Sequence, residues 1–288
     1  MYYDYSKFKE LYKSYQNSKY IVSLVPLEND YVFKKWGIGS ILMSNFVTYE
    51  QKKIIPSDLT ENIILMIGRS NDNYKRLYLG IQTMEYITKE IPRCKMIIIS
   101  NVTNNYYLKN LVNDLILTKS VIFKGYSSIP EVYYKNISLH IFPTISESFG
   151  LVLSETKIYG IPNILIGLDY VSISKGGTII IYDDKSETIS KIIIEILNNE
   201  NYKKLLSKEA RINMSKINNE ELLKKWTELL LSIFNGKKYY NNLRKKGNMI
   251  KEKDALICLS NQINLFKKRK KKYYNFTLNN FLDFFVKI

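Results

Sequence analysis

The sequence predicts an α/β protein: a Rossmann-like, doubly wound parallel sheet, preceded by a short α/β segment and followed by a basic extension. Three observations predict it. From Pro56 onward, short apolar runs alternate with longer amphipathic ones, and strands separated by helical stretches in this way form βαβ units and a parallel sheet. The strand runs, such as Ile63-Ile-Leu-Met-Ile67, are almost continuously apolar, which is the pattern of strands covered on both faces. Only 12 Gly and 6 Pro occur in 288 residues, so each one is informative punctuation.

Taken in order, Tyr20–Val25 reads as a strand, Asn29–Trp36 as a helix and Ser40–Met43 as a strand again. Asn62–Ile67 is a buried strand ended by Gly68-Arg69, and Lys75–Glu90 has helical spacing up to Ile91-Pro92. Lys95–Ser100 is a strand, Tyr106–Leu117 a helix, and Ser120–Phe123 a strand that ends at Gly125. Ser138–Phe142 is a strand ending at Pro143, and Gly150–Tyr159 is a helix stopped by Gly160 and Pro162. Asn163–Ile166 and Thr178–Tyr182 complete the strands, and three helices follow over Ser186–Asn198, Tyr202–Met214 and Glu220–Phe234. The domains expected are 1–50, 51–236 and 237–288. The first is too small to close a core alone and is expected to pack on something else, in this chain or another.

Composition narrows the function classes. Hydrophobic residues make up 45%, which excludes wholesale disorder. No apolar run approaches the roughly 18 residues of a spanning helix, and the start lacks the layout of a secretory signal. A soluble, cytoplasmic protein is expected. Cys94 and Cys258 stand far apart with no metal or redox spacing, so they read as reduced thiols. Residues 237–288 carry a net +11 of the total +16, leaving the body mildly basic. Lys, Asn, Ile and Tyr are abundant throughout, a bias of composition that inflates lysine everywhere. Charge alone therefore does not make this a nucleic-acid binder. In the tail, Phe266-Lys-Lys-Arg-Lys-Lys-Lys272-Tyr-Tyr-Asn-Phe276 reads first as a solvated extension. Attachment to an anionic membrane surface is its functional alternative, and nucleic-acid binding is a weaker one.

In open parallel sheets, ligands bind beyond the carboxyl ends of the strands. Chemistry is therefore expected at Gly68-Arg69, at Gly125-Tyr126 and from Pro143 to Gly150. The sharpest stretch is Phe142-Pro-Thr-Ile-Ser-Glu147-Ser-Phe149-Gly150-Leu151-Val-Leu-Ser-Glu155. A helix beginning at Gly150 presents free N–H groups and the positive end of its dipole to the preceding loop, an arrangement suited to phosphate. Glycine there lets the backbone approach a ligand closely. Glu147 and Glu155 are acceptor-only groups, each able to grip a pair of hydroxyls. Two such acceptors around an anion site are what a sugar nucleotide needs.

Glu147 through Glu155, with Phe149-Gly150 between them, resembles the E-x7-E motif of the retaining glycosyltransferases of family 4, in the GT-B fold. Ile63–Arg69 resembles the first strand of that family's donor domain, Val121–Gly125 its strand before the base pocket, and Gly160-Ile-Pro162 its G-x-P. The resemblance runs over about residues 20–235. It implies a sugar transferred from a nucleotide-diphosphate sugar with retention of configuration, without metal or other cofactor. Arg69 and Lys75 would neutralise the diphosphate. Glu147 would contact the hexose and Glu155 the ribose. Gly68, Ser148, Phe149, Gly150 and Leu151 would line the phosphate and sugar, and Gly125-Tyr126 the base. The family lysine is usually followed by glycine, whereas here Lys75 is followed by Arg76. Either could reach the phosphate, Lys75 being preferred.

The family's acceptor domain needs on the order of 150 residues, and only its last part is matched here. A partner chain or a homo-oligomer is one expectation for the remainder. A truncated donor-binding or regulatory subunit without transfer of its own is the other. Outside the motif, His140 reads as a core histidine, Gly176-Gly177 as a turn, and Asp183-Asp184 as a strand-end turn with a helix cap.

Overall fold

The structure, a computed structural model, describes residues 10, 13–18, 20–27, 29, 39–47, 54–71, 74–102 and 105–235. Most of the helix expected at Asn29–Trp36 and the whole extension 237–288 lie outside the described residues. The chain divides into two compact units, one of residues 47–217 and one of residues 1–46 with 218–288.

The larger unit holds a six-stranded, fully parallel sheet in the order β5-β4-β3-β6-β7-β8. The strands are β3 (Ile63–Ile67), β4 (Lys95–Ile99), β5 (Val121–Phe123), β6 (Leu139–Phe142), β7 (Asn163–Ile166) and β8 (Thr178–Ile181). Successive side chains of a strand point to opposite faces, and both faces are apolar. Ile64, Met66, Met96, Ile98, Ile141, Ile164 and Ile166 enter one core with helices α1 (Leu77–Glu90), α2 (Tyr106–Asp114) and α4 (Ser186–Asn198). Leu65, Ile99, Phe142 and Leu165 point the other way. They meet a 3-10 helix (Pro130–Asn136), helix α3 (Leu151–Ile158) and the loop after β7. Helix α5 (Glu200–Met214) contributes Leu206 to the first core and Met214 to the second. Helices on both faces make the sheet doubly wound, as expected.

Local chemistry sets the boundaries. Asn105 caps α2 by accepting from the Leu108 N–H at 3.0 Å, and Asn199 caps α5 by accepting from that of Tyr202 at 3.0 Å. The second cap starts α5 at Glu200, earlier than the expected Tyr202. Helix α1 starts at Leu77 rather than Lys75, because Arg76 takes a left-handed conformation with φ 46° and ψ 43°. Helix α2 stops at Asp114 rather than Leu117, because Ile116 is left-handed with φ 55°. The 3-10 helix has no counterpart in the sequence reading.

In the smaller unit, β1 (Val22–Ser23) and β2 (Ile41–Leu42) pair in parallel. Met43 packs there with Leu222 and Leu229 of helix α6 (Asn219–Phe234), together with Tyr20, Val22, Ile41 and Trp226. The expected domain 51–236 contains the residues of α6. The structure groups this helix instead with the N-terminal strands, whose apolar residues it covers.

Candidate functional site

In the order β4-β3-β6-β7, the chain reverses its winding between β3 and β6. The crevice beyond the carboxyl ends of two such strands is where open α/β sheets bind ligands. The segment after β3 and the segment after β6 meet there. The main chains are tied by Ile145 N–H donating to Tyr74 C=O at 2.8 Å, and the side chains by Lys75 Nζ against Glu147 Oε2 at 3.0 Å. Lys75 also stands 5.4 Å from the centre of the Phe142 ring. Both members of the pair are partly open to solvent, so charge is available at the crevice rather than locked in the core.

Gly68 explains how Lys75 reaches this position. A Cβ at residue 68 would lie 3.1 Å from Lys75 Cβ and 3.3 Å from its Cγ, so the bare glycine lets the lysine stem pass. Arg76, the other candidate for the phosphate, is turned inward and 2% exposed. Its Nε donates to Pro143 C=O, and its NH1 lies 3.5 Å from Asp184 Oδ2. Arg76 is therefore a strut between the β6 and β8 ends, and Lys75 is the cation at the crevice. Its left-handed backbone is the conformation that glycine adopts freely, at the place where the resembling family has glycine.

Glu147 is held on three sides. Its side chain meets Lys75, its Oε1 accepts from the Ser148 N–H at 3.2 Å, and its own N–H points to the Tyr170 hydroxyl at 3.4 Å. Phe149 is buried in the second core and anchors the loop from below. Gly150, with φ 80°, turns the chain into α3. Leu151 is exposed at the helix start. Glu155, one turn further along α3, is half-buried and accepts from the Tyr134 hydroxyl at 3.2 Å. Burial pushes its carboxyl above the ordinary 4.5, with Tyr134 acting in the opposite sense. Tyr134 comes from the 3-10 helix that follows Gly125-Tyr126, so Glu155 is joined to the β5 end of the crevice. Gly125 has φ 73° and Tyr126 is exposed. Arg69 is exposed just beyond β3.

The structure thus brings together Gly68, Lys75, Glu147, Ser148 and Gly150, and sets Glu155 beside Tyr134. It withdraws Arg76 into the interior. Tyr134 and Tyr170 were missed. Pro130, a helix opener, was the only local signal for the first, and nothing in the sequence separates Tyr170 from the other tyrosines among 24.

His140 is fully buried on β6, with Nδ1 2.6 Å from Asn163 Oδ1. Desolvation pushes its imidazole down to about 4, so it is neutral at pH 7 and belongs to the core. It is only half satisfied there, since Nε2 has no hydrogen-bond partner among the described residues. Gly176-Gly177 is a turn pressed on α5: a Cβ at Gly177 would lie 2.4 Å from Ala210 Cβ and from Leu206 O. Asp183 accepts from the Lys185 N–H and the Thr188 hydroxyl, while Asp184 takes Arg76. Lys185 itself is the N-cap residue of α4, with no side-chain cap.

Residues 47–213 match the family described as Glycosyl transferases group 1. The chain is 25% identical over 179 residues to the poly(ribitol-phosphate) alpha-N-acetylglucosaminyltransferase of Staphylococcus aureus (strain COL), covering 60% of this chain and 36% of that protein. It is 24% identical over 176 residues to the poly(glycerol-phosphate) alpha-glucosyltransferase of Bacillus subtilis (strain 168), covering 60% and 26%. The matched part thus spans about a third or less of these curated relatives. Among solved structures, TarM superposes with a TM-score of 0.68 at 21% identity, over 78% of this chain and 46% of that one. Sucrose-phosphate synthase of Thermosynechococcus elongatus superposes with a TM-score of 0.65 at 20% identity, over 81% and 63%. At these identities the likeness is one of fold. With more than half of its residues inside the family match and the doubly wound sheet shared with those structures, this chain belongs to the group 1 glycosyl transferases.

Proposed function

We propose that the crevice beyond β3 and β6 binds a nucleotide-diphosphate sugar and that the chain transfers the sugar to a hydroxyl acceptor with retention of configuration, as a family 4 enzyme of the GT-B type. The observation that carries this reading is the Lys75–Glu147 pair at the switch point of the sheet. The pair offers one cation and one acceptor-only group side by side. A donor needs the cation for its diphosphate and the acceptor for its sugar hydroxyls.

In this reading the diphosphate lies against Lys75, Arg69 and the N–H groups that open α3. Glu147 accepts from the sugar hydroxyls and Glu155 from those of the ribose. The base lies toward Gly125-Tyr126. The bond from the anomeric carbon to the phosphate oxygen breaks with its electron pair going to the diphosphate. The acceptor oxygen bonds to the same face of the sugar, and its proton passes to the departing phosphate. Fixed cations at the leaving group favour this step because charge builds there in the transition state. Crystal structures of S. aureus TarM, pneumococcal GtfA and Anabaena HepE hold UDP, which supports a uridine nucleotide as the donor.

Turnover tests the reading. The chain is incubated with UDP-N-acetylglucosamine or UDP-glucose, UDP release is followed, and the anomer of the freed or transferred sugar is read by NMR. The expected product is the α-anomer, with release falling roughly 100-fold in Lys75→Ala. A β-product refutes retention, and unchanged release in Lys75→Ala refutes the assignment of the cation.

A further inference from the structure

Glu147 is fixed at its carboxylate by Lys75, but its main chain needs a support of its own. That support comes from the loop between β7 and β8. Leu168, Val171 and Ile173 of this loop are buried in the same core as Phe149 and Leu153. Tyr170 stands between the first two and presents its hydroxyl to the Glu147 N–H at 3.4 Å. Asp169 braces the loop from within, its C=O accepting from the Ser174 hydroxyl and its Oδ2 from the Tyr182 hydroxyl, both at 2.8 Å.

The far end of the loop is held by an unusual group. Lys157 is fully buried on α3. Its ammonium donates to Ile173 C=O, to Lys175 C=O at 2.6 Å and to Asn213 Oδ1 at 3.1 Å. All three acceptors are neutral oxygens. Burying a charge without a counter-charge is costly, and burial pushes this ammonium down to about 7. An apolar side chain would fill the position without that cost. What it would not do is hold two carbonyls of the 173–175 segment and α5 together.

We propose that Lys157 and Tyr170 are positioning residues for the sugar-directed carboxylate: Lys157 clamps the β7–β8 loop to α3 and α5, and through Tyr170 that loop sets the main chain of Glu147. One helix then serves the site twice, since α3 also carries Glu155, two residues before Lys157. The inference rests on the reading of Glu147 as the sugar-contacting group. It assigns the loop to recognition of the sugar, because the loop reaches Glu147 through the Tyr170 hydroxyl.

The test compares the affinity for UDP with that for UDP-N-acetylglucosamine and UDP-glucose by titration calorimetry. It uses wild type, Glu147→Gln, Tyr170→Phe, Lys157→Met and the Tyr170→Phe/Lys157→Met pair. The gain in affinity that the sugar confers over UDP should fall roughly three- to tenfold in Tyr170→Phe, the equivalent of one lost hydrogen bond. UDP affinity itself should stay within about twofold, and the double variant should lose no more than the larger single loss, as expected for residues acting in series. Tyr170→Phe removes one oxygen only, so the result does not depend on Lys157→Met folding. A sugar-dependent gain that Glu147→Gln abolishes but Tyr170→Phe retains overturns the inference while leaving the donor site intact. Parallel loss of UDP and UDP-sugar affinity in Tyr170→Phe overturns it too, since a general structural role predicts that pattern. No sugar-dependent gain in wild type, or one that survives Glu147→Gln, overturns the reading of Glu147 and the inference with it.

Discussion

Replacing Arg76 by glycine should destabilise this protein less than replacing it by alanine, the reverse of the usual ranking of the two residues. Both substitutions remove the buried guanidinium, with its hydrogen bond to Pro143 C=O and its contact with Asp184. A hydrogen bond from a charged donor contributes roughly 1.5–3 kcal/mol, and that loss is common to both variants. They differ in the backbone. Arg76 sits at φ 46° and ψ 43°, where an L-residue is disfavoured by roughly 1–2 kcal/mol. Alanine keeps that cost and glycine does not. Glycine's larger entropy in the unfolded chain offsets roughly 0.5–1 kcal/mol of the relief. At the middle of these ranges the glycine variant should therefore be the more stable by about 0.75 kcal/mol, or roughly 1.5–3 °C in Tm for a unit of this size. Thermal and urea denaturation followed by far-UV circular dichroism measure it. An alanine variant as stable as the glycine variant, or more so, would refute the left-handed strut. It would also reopen Arg76 as a phosphate ligand.

Two glycines of similar φ should respond differently to alanine. At Gly125 a Cβ meets nothing within 4 Å, so only the backbone penalty of roughly 1–2 kcal/mol applies. At Gly177 the Cβ would fall 2.4 Å from Ala210 Cβ and Leu206 O, and soluble expression should be lost or the Tm should drop far more; equal Tm values would contradict the packing of that turn on α5. Nucleotide affinity should weaken on acidification as Glu155, held above the ordinary 4.5 by burial, takes up a proton and loses acceptor capacity. In the same window the folded chain binds that proton more readily than the unfolded one, so this group's contribution makes stability rise as pH falls. A Glu155→Gln variant should show neither dependence, and a pH profile of UDP affinity identical to wild type would count against Glu155 as the ribose ligand.

Much of the fold was legible because buried parallel strands leave a plain mark. Ile63–Ile67 and Asn163–Ile166 are apolar on both faces and end where glycine or proline intervenes, so their ends were placed within about a residue. Glu147 falls in the segment expected beyond a strand end, whereas Lys75, eight residues past the end of β3, was singled out only through the family resemblance. Other features depend on contacts that a linear pattern does not carry. The 3-10 helix Pro130–Asn136 is too short to show a 3.6-residue period, and Tyr134 was lost with it. Arg76 carries no local sign of a left-handed backbone. Only its encounter with Pro143 and Asp184 shows why it is inside. The amphipathic pattern of Asn219–Phe234 announced a helix but not its partner, and it packs on the N-terminal strands. Tyr170 acts through a loop clamped by Lys157, and nothing in the linear pattern marks that lysine as buried.

The most direct measurement is a calorimetric titration of UDP into wild type, Glu155→Ala and Lys75→Ala. A donor-nucleotide site predicts saturable one-to-one binding by wild type, a Tm rise consistent with about 2.7 kcal/mol at 100 times the Kd, and weakened binding in both variants whose circular dichroism is unchanged. UDP binding of equal strength in all three proteins, or no binding of UDP or any other nucleoside diphosphate to wild type, would contradict a donor site at the β3–β6 crevice.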